Sequence, residues 1–270
     1  MRVAITRPAS EATAWVEGLR AQGLDAQALP LIAISGLPDL SAVHGAWHGL
    51  ERYRAAMFVS ANAVTHFFAA RPAGRDWPAG TRAWAPGPGT AAALRTAGLA
   101  APAIDTPDPQ AAQFDSEALW QAAGAGIRPG DTVLIVRGED SGADTTPGTA
   151  GTPGHGRDWM ARRLAEAGAA VDFVVAYRRG VPAWDAAQLV QATTLAAADT
   201  AWVFSNSEAI GHLLRLLPAP QAALAGTAVA THPRIAAAAR QAGFTRVVEA
   251  APTLDALARA LHGLAPGTTA

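Results

Sequence analysis

The sequence predicts an α/β protein of two similar domains, each a mostly parallel sheet flanked by helices. Three observations predict it. Short apolar runs alternate with amphipathic stretches, the alternation is present twice at nearly one offset, and 270 residues exceed the ordinary size of a single domain. Half of the residues are hydrophobic and only 16% are charged, enough apolar material for filled cores and too little charge for a disordered chain.

The first element, Val3-Ala4-Ile5-Thr6-Arg7-Pro8, is a short apolar run ending in a polar turn. An amphipathic stretch follows and closes at Ala21-Gln22-Gly23. Val133-Leu134-Ile135-Val136-Arg137-Gly138 repeats this, closing at Glu166-Ala167-Gly168. Each reads as a buried strand, a loop and a helix that glycine ends in a left-handed cap. A second strand-like run follows each glycine, Ala26 to Ile34 and Ala170 to Tyr177. Next, Ala56 to Val64 pairs with Ala201 to Ile210, and Val64 and Ile210 stand 146 positions apart. Gly87-Pro88-Gly89-Thr90-Ala91 through Gly98 pairs with His232-Pro233-Arg234-Ile235-Ala236 through Gly243, at an offset of 145. Glu117-Ala118-Leu119 and Asp255-Ala256-Leu257 open a last pair of helical patterns. A period this long is duplication of a whole domain, not a solenoid. Strand–helix alternation of this kind makes the sheets mostly parallel. The Gly/Thr/Pro-rich stretch from Asp140 to Gly156 has no periodicity and reads as a loop excursion, and 265–270 as a frayed end.

Several chemistries are excluded. The formal net charge of −1 gives no basic surface for nucleic acid or membrane. There is no cysteine, hence no disulfide, thiolate metal site or thiol nucleophile. All 21 basic residues are arginine, so no Schiff-base lysine and no P-loop lysine exist. The start of the chain lacks a signal-peptide pattern and no run is long and apolar enough to span a bilayer, so a cytoplasmic protein is expected. His44 and His48 have helical spacing but lack a third ligand, and no metal is expected. No Gly-x-Ser-x-Gly elbow is present, and Asp115-Ser116-Glu117 reads as a helix cap.

In open parallel sheets ligands gather at the carboxyl ends of strands, where loops feed helix N-termini. The candidate loops carry Thr6 and Arg7, Ser60 and Asn62, Gly87 and Thr90, Arg137 and Gly138, then Ser205, Asn206 and Ser207, and finally His232 and Arg234. Helix N-termini with unpaired N–H groups suit carboxylates or phosphates. Ser60, Asn62, Thr90, Ser205 and Ser207 also suit a plain capping role, and Gly87 and Gly89 a turn. Tyr177, one of only two tyrosines, ends an apolar strand. It reads equally as a buried phenol with a wet hydroxyl or as a catalytic donor.

Taken in order, Thr6-Arg7-Pro8, Leu29-Pro30-Leu31, Ser60-Ala61-Asn62-Ala63-Val64, Gly87-Pro88-Gly89-Thr90-Ala91, Phe114-Asp115-Ser116-Glu117, Val136-Arg137-Gly138, Gly156-Arg157-Asp158, Tyr177-Arg178-Arg179, Ser207-Glu208-Ala209 and His232-Pro233-Arg234-Ile235-Ala236 resemble the uroporphyrinogen-III synthase family across nearly the whole length. The resemblance implies two domains joined by a two-stranded linker with a cleft between them. Domain one would comprise 1–35 and 180–264, domain two 40–175, and the linkers about 36–39 and 176–179. It implies closure of the linear tetrapyrrole hydroxymethylbilane, with inversion of ring D, to uroporphyrinogen III and water: a lyase without cofactor. Tyr177 would then assist hydroxyl departure. Arg7, Ser60, Asn62, Gly87, Thr90, Arg137, Gly138, Ser205, Asn206, Ser207, His232 and Arg234 would bind substrate. A monomer is expected, with transient hand-over from the preceding pathway enzyme. The sequence departs from the family at Val59-Ser60, where a Thr-Ser pair is common, and at Ile235, where some relatives carry threonine. The alternative is a non-catalytic two-domain binder of a small anion.

Overall fold

The computed structural model describes residues 1–111, 113–140 and 155–264. The chain divides into two compact units, one made of Met1–Ala33 with the chain from Gly180 onward, the other of Ile34–Arg179. The segments 36–39 and 176–179, read as linkers, fall within the second unit. There Ile34, Leu37 and Leu40 pack against a core cluster that includes Tyr177.

The first unit begins with β1 (Arg2–Ile5), α1 (Ala9–Ala21) and β2 (Asp25–Ala28). The chain then runs through β3 (Ala33–Ser35) into α2 (Ser41–His48), β4 (Ala55–Phe58), α3 (Ala61–Ala69), β5 (Arg82–Trp84), α4 (Pro88–Thr96), β6 (Ile104–Asp105), α5 (Ser116–Ala123), β7 (Thr132–Asp140), α6 (His155–Glu166) and β8 (Ala170–Gly180). It returns to the first unit with α7 (Ala186–Ala196), β9 (Thr200–Phe204), α8 (Ser207–Leu216), α9 (Pro220–Leu224), β10 (Thr227–Ala230), α10 (Pro233–Gln241), β11 (Arg246–Glu249) and α11 (Leu254–Leu264). The excursion read from Asp140 to Gly156 lies outside the described residues except at its ends, where β7 closes and α6 opens; 265–270 lie outside them altogether.

Among the described residues the first unit holds one sheet, ordered β11-β10-β9-β1-β2, parallel throughout. The second holds β3-β8-β7-β4-β5-β6, parallel from β8 to β6. Strand for strand, β2-β1-β9-β10-β11 repeats as β8-β7-β4-β5-β6. The β-α-β piece that opens the first unit closes the second, so the two copies are circularly permuted relative to each other. That permutation explains the two offsets in the sequence. Val3 and Val133 stand 130 positions apart, while Val64 and Ile210 stand 146 and Gly98 and Gly243 145 apart.

Helices cover both faces of each sheet, as parallel strands without a solvated face require. In the second unit Trp47, Ala63, Val64, Phe67 and Leu94 of α2, α3 and α4 bury Phe58, Leu134, Val136 and Val174. Leu119, Met160 and Leu164 of α5 and α6 cover Met57, Trp84, Val133 and Ile135 on the other face. In the first unit, Val16, Leu19, Leu257 and Leu261 of α1 and α11 cover Val3, Ile5 and Val203. Trp202 and Phe204, alternating with Val203 along β9, point the other way and are fully buried.

The glycine caps are where the sequence puts them. Gly23 and Gly168, after α1 and α6, have φ of 79° and 78°, and Gly98 and Gly243, after α4 and α10, have 98° and 104°. Leu24 and Ala169 donate back to Leu19 and Leu164, the wrapped end that the left-handed residue permits. One run is not a single strand. Ala26 to Ile34 splits into β2 and β3 of different sheets, because Pro30 has no N–H to continue a ladder.

Candidate active site

The second unit gathers several of the expected residues at the carboxyl ends of β4, β5, β7 and β8. Ser60 caps α3: its Oγ accepts from the Ala63 N–H at 3.2 Å. The same Oγ lies 3.0 Å from the Tyr177 hydroxyl. Tyr177 is buried, at 4% exposure, with its hydroxyl turned toward Ser60. Asn62 is buried in the first turn of α3 and is not its cap.

At the next strand end Gly87 caps α4, with Pro88 in the first helical position. Its φ of −165° is extended, so the turn does not demand glycine there; the Phe114 side chain lies 3.3 Å from where a Cβ would sit, close enough that a side chain would press on it. Thr90 is buried inside the helix and does not cap. Gly138 is buried, and the ring of Tyr177 lies over its α-carbon.

Arg137 is not brought to this group. It continues the Val133 and Ile135 side of β7, opposite Tyr177, and its guanidinium sits 5.7 Å over the Phe173 ring. Its Nε is buried with no hydrogen-bond partner. Arg7, its counterpart in the first unit, also leans on an aromatic ring, 4.2 Å over Trp15, and pairs with Glu11 at 3.0 Å. Burial pulls the Arg7 pKa down from its ordinary value, the Glu11 carboxylate working against that.

In the first unit Asn206, not Ser205 or Ser207, caps α8, accepting from Glu208 N–H at 2.7 Å. His232 caps α10 through Nδ1, which accepts from Arg234 N–H at 3.1 Å, so the ring proton sits on Nε2. Arg234 is exposed. Asp115 caps α5, accepting from Glu117 and Ala118 at 3.0 and 2.9 Å.

Among the described residues no three His, Cys, Asp or Glu side chains are grouped to hold a metal ion. His48 instead has Nδ1 3.1 Å from the Arg75 guanidinium. Among the described residues no helix is long and apolar enough to cross a membrane.

A family model described as uroporphyrinogen-III synthase HemD matches residues 13–259. The chain belongs to the uroporphyrinogen-III synthase family. That makes it an enzyme of tetrapyrrole, and so heme, biosynthesis, and it does not favour a non-catalytic anion binder. Solved structures agree in fold. A mutant uroporphyrinogen III synthase from Thermus thermophilus is similar at 20% identity and a TM-score of 0.55, over 97% of this chain and 96% of that one. Uroporphyrinogen-III synthetase from Helicobacter pylori is similar at 15% identity and a TM-score of 0.53, over 98% and 100%.

One neighbour of Tyr177 leaves only a faint mark in the sequence. The half-buried His66 ring lies nearly parallel to Tyr177, with centroids 5.6 Å apart and 21° between planes. Burial lowers its pKa from the ordinary histidine value. A signal for it exists: Asn62 and His66 stand one helical turn apart on α3 and share a stripe.

Proposed function

We propose that this synthase closes hydroxymethylbilane as a lyase, with Tyr177 as the group that serves departure of the terminal hydroxyl. The C–O bond of the hydroxymethyl group breaks as that oxygen takes a proton and leaves as water. The electron-poor carbon left behind is attacked by a pyrrole carbon, ring D inverting through a spiro intermediate. No electrons enter or leave, so nothing in the balance calls for a redox cofactor. The remaining work is to hold one conformation of a flexible substrate, which is positioning catalysis.

The observation that carries the role of Tyr177 is its hydroxyl 3.0 Å from Ser60 Oγ at the strand ends. A phenol in that place has a donor–acceptor partner that can orient its O–H and resupply its proton. The adjoining N-termini of α3 and α4 offer backbone N–H groups and the positive end of a helix dipole to substrate carboxylates. Ser60, Asn62, Gly87 and Thr90 belong to that row. Ser205, Asn206, Ser207, His232 and Arg234 form the corresponding row of the first unit; Arg7 is already paired with Glu11, and Arg137 lies on the other side of β7 from Tyr177. The enzyme works as a cytoplasmic monomer that receives its labile substrate from the preceding enzyme.

The test is to supply freshly generated hydroxymethylbilane and separate the porphyrin isomers after oxidation. Isomer III is expected. Isomer I alone, the product of spontaneous closure, overturns the proposal.

A further inference from the structure

Tyr177 reaches Ser60 only because β8 carries one residue too many. Along β7 and β8 the register runs Val136 opposite Val174 and Arg137 opposite Val175, then shifts so that Gly138 faces Tyr177 and Ala176 is left over. Side chains alternate along a strand. Val174 and Ala176 point into the cluster built with α3, so strict alternation would send Tyr177 to the opposite face, with Val133, Ile135 and Val171. The bulge turns it back, and Tyr177 joins Val174 and Ala176 on the α3 side.

A ring turned back in this way must lie across its neighbour on β7, and that neighbour is Gly138. A Cβ there would fall 2.5, 2.6 and 3.0 Å from the Cζ, Cε2 and Cε1 atoms of Tyr177. Those atoms are at the hydroxyl end of the ring, the end whose position sets the 3.0 Å approach to Ser60. The ring has little freedom to yield, being buried and stacked near His66.

We propose that Gly138 is a positioning residue: together with the bulge at Ala176 it provides the flat seat on which the Tyr177 phenol reaches Ser60. The inference rests on the catalytic reading of Tyr177 and assigns Gly138 a part other than contact with substrate. Glycine is required by the ring above it, since Gly138 has no positive φ.

The experiment compares Gly138→Ala, Tyr177→Phe and their double variant in turnover of freshly generated hydroxymethylbilane. Gly138→Ala should lower kcat about ten-fold or more while KM stays within about two-fold, since a displacement near 1 Å suffices for such losses. The double variant should be no slower than about two-fold below the slower single variant, because both changes remove one action. Parental kcat in Gly138→Ala overturns the proposal, as do losses that multiply independently. Should Gly138→Ala melt too early to assay, Tyr177→Ala is added to remove the ring. Restored thermal stability relative to Tyr177→Ala alone supports the seat; an undiminished loss overturns it. Parental turnover in Tyr177→Phe overturns instead the catalytic reading beneath it, and the melting comparison distinguishes the two failures.

Discussion

The Tyr177 hydroxyl lies 3.0 Å from Ser60 Oγ, and that same oxygen accepts the Ala63 N–H at the start of α3. One serine therefore ends a helix and orients a phenol. Ser60→Ala removes both interactions and should lose about 1 kcal/mol of stability, the ordinary worth of an N-cap. Ser60→Thr keeps an Oγ and should recover most of it. Tyr177→Phe leaves the cap intact, so its stability should change by no more than about 1.5 kcal/mol. Its turnover should fall several-fold, and steady-state rates of a folded Phe variant equal to the parent's would remove Tyr177 from the reaction.

His66 links this site to pH. Burial is the cause that lowers its pKa, so the neutral ring is favoured in the folded state. With the folded pKa below the unfolded one, the unfolded chain binds more protons between the two values, and stability rises with pH there. The contribution is complete above the unfolded value of about 6.5 and is lost as pH falls through the lowered folded value. Urea midpoints measured from about pH 8 down to about pH 5 should fall less steeply in His66→Gln than in the parent. Parallel profiles would mean that His66 titrates alike in both states.

The glycine caps separate backbone strain from crowding. Gly23 has a φ of 79° with nothing within 4 Å of where a Cβ would sit, so Gly23→Ala strains the backbone alone. It should cost about 1–2 kcal/mol, the penalty for a left-handed non-glycine residue. Gly36 is equally open but lacks positive φ. Gly36→Ala should be neutral, or stabilising by up to about 1 kcal/mol through the unfolded state. Equal melting temperatures for the two variants would contradict the assignment.

The duplication and the helix-ending glycines were legible because both leave local marks: apolar runs of strand length, 3.6-residue stripes and Gly at fixed distance from them. Ser60 was legible as a cap candidate for the same reason. What was hidden depends on register. Nothing in Val174-Val175-Ala176-Tyr177 announces an extra residue, because a bulge exists only relative to a partner strand 39 positions away, Gly138 against Tyr177. Arg7 and Arg137 were read as anion binders since both follow apolar strands. In the structure each leans on an aromatic ring, Trp15 or Phe173, a choice that tertiary neighbours make and spacing does not show. Asn206 took the cap that Ser205 and Ser207 were equally suited to fill, a difference of one residue that propensity does not resolve.

Leu29-Pro30-Leu31 gained a physical account only from the fold. β2 is the edge strand of its sheet, and beyond it Pro30 breaks the ladder, so carbonyls there need partners from elsewhere. Side chains supply them: Gln191 Nε2 donates to Ala28 O at 3.1 Å, Trp184 Nε1 to Pro30 O at 3.2 Å and His212 Nδ1 to Leu31 O at 2.6 Å. The three donors are not equivalent. His212 and Leu31 are both buried, whereas Trp184 is half-buried and water can replace its N–H. His212→Phe keeps a ring of similar size but strands a buried carbonyl, which should cost about 1–3 kcal/mol. Trp184→Phe should cost less than His212→Phe in chemical denaturation, because its half-buried acceptor, the Pro30 carbonyl, regains a water more readily than the buried Leu31 carbonyl. The reverse order would place the anchor of this segment on α7's approach and not on α8.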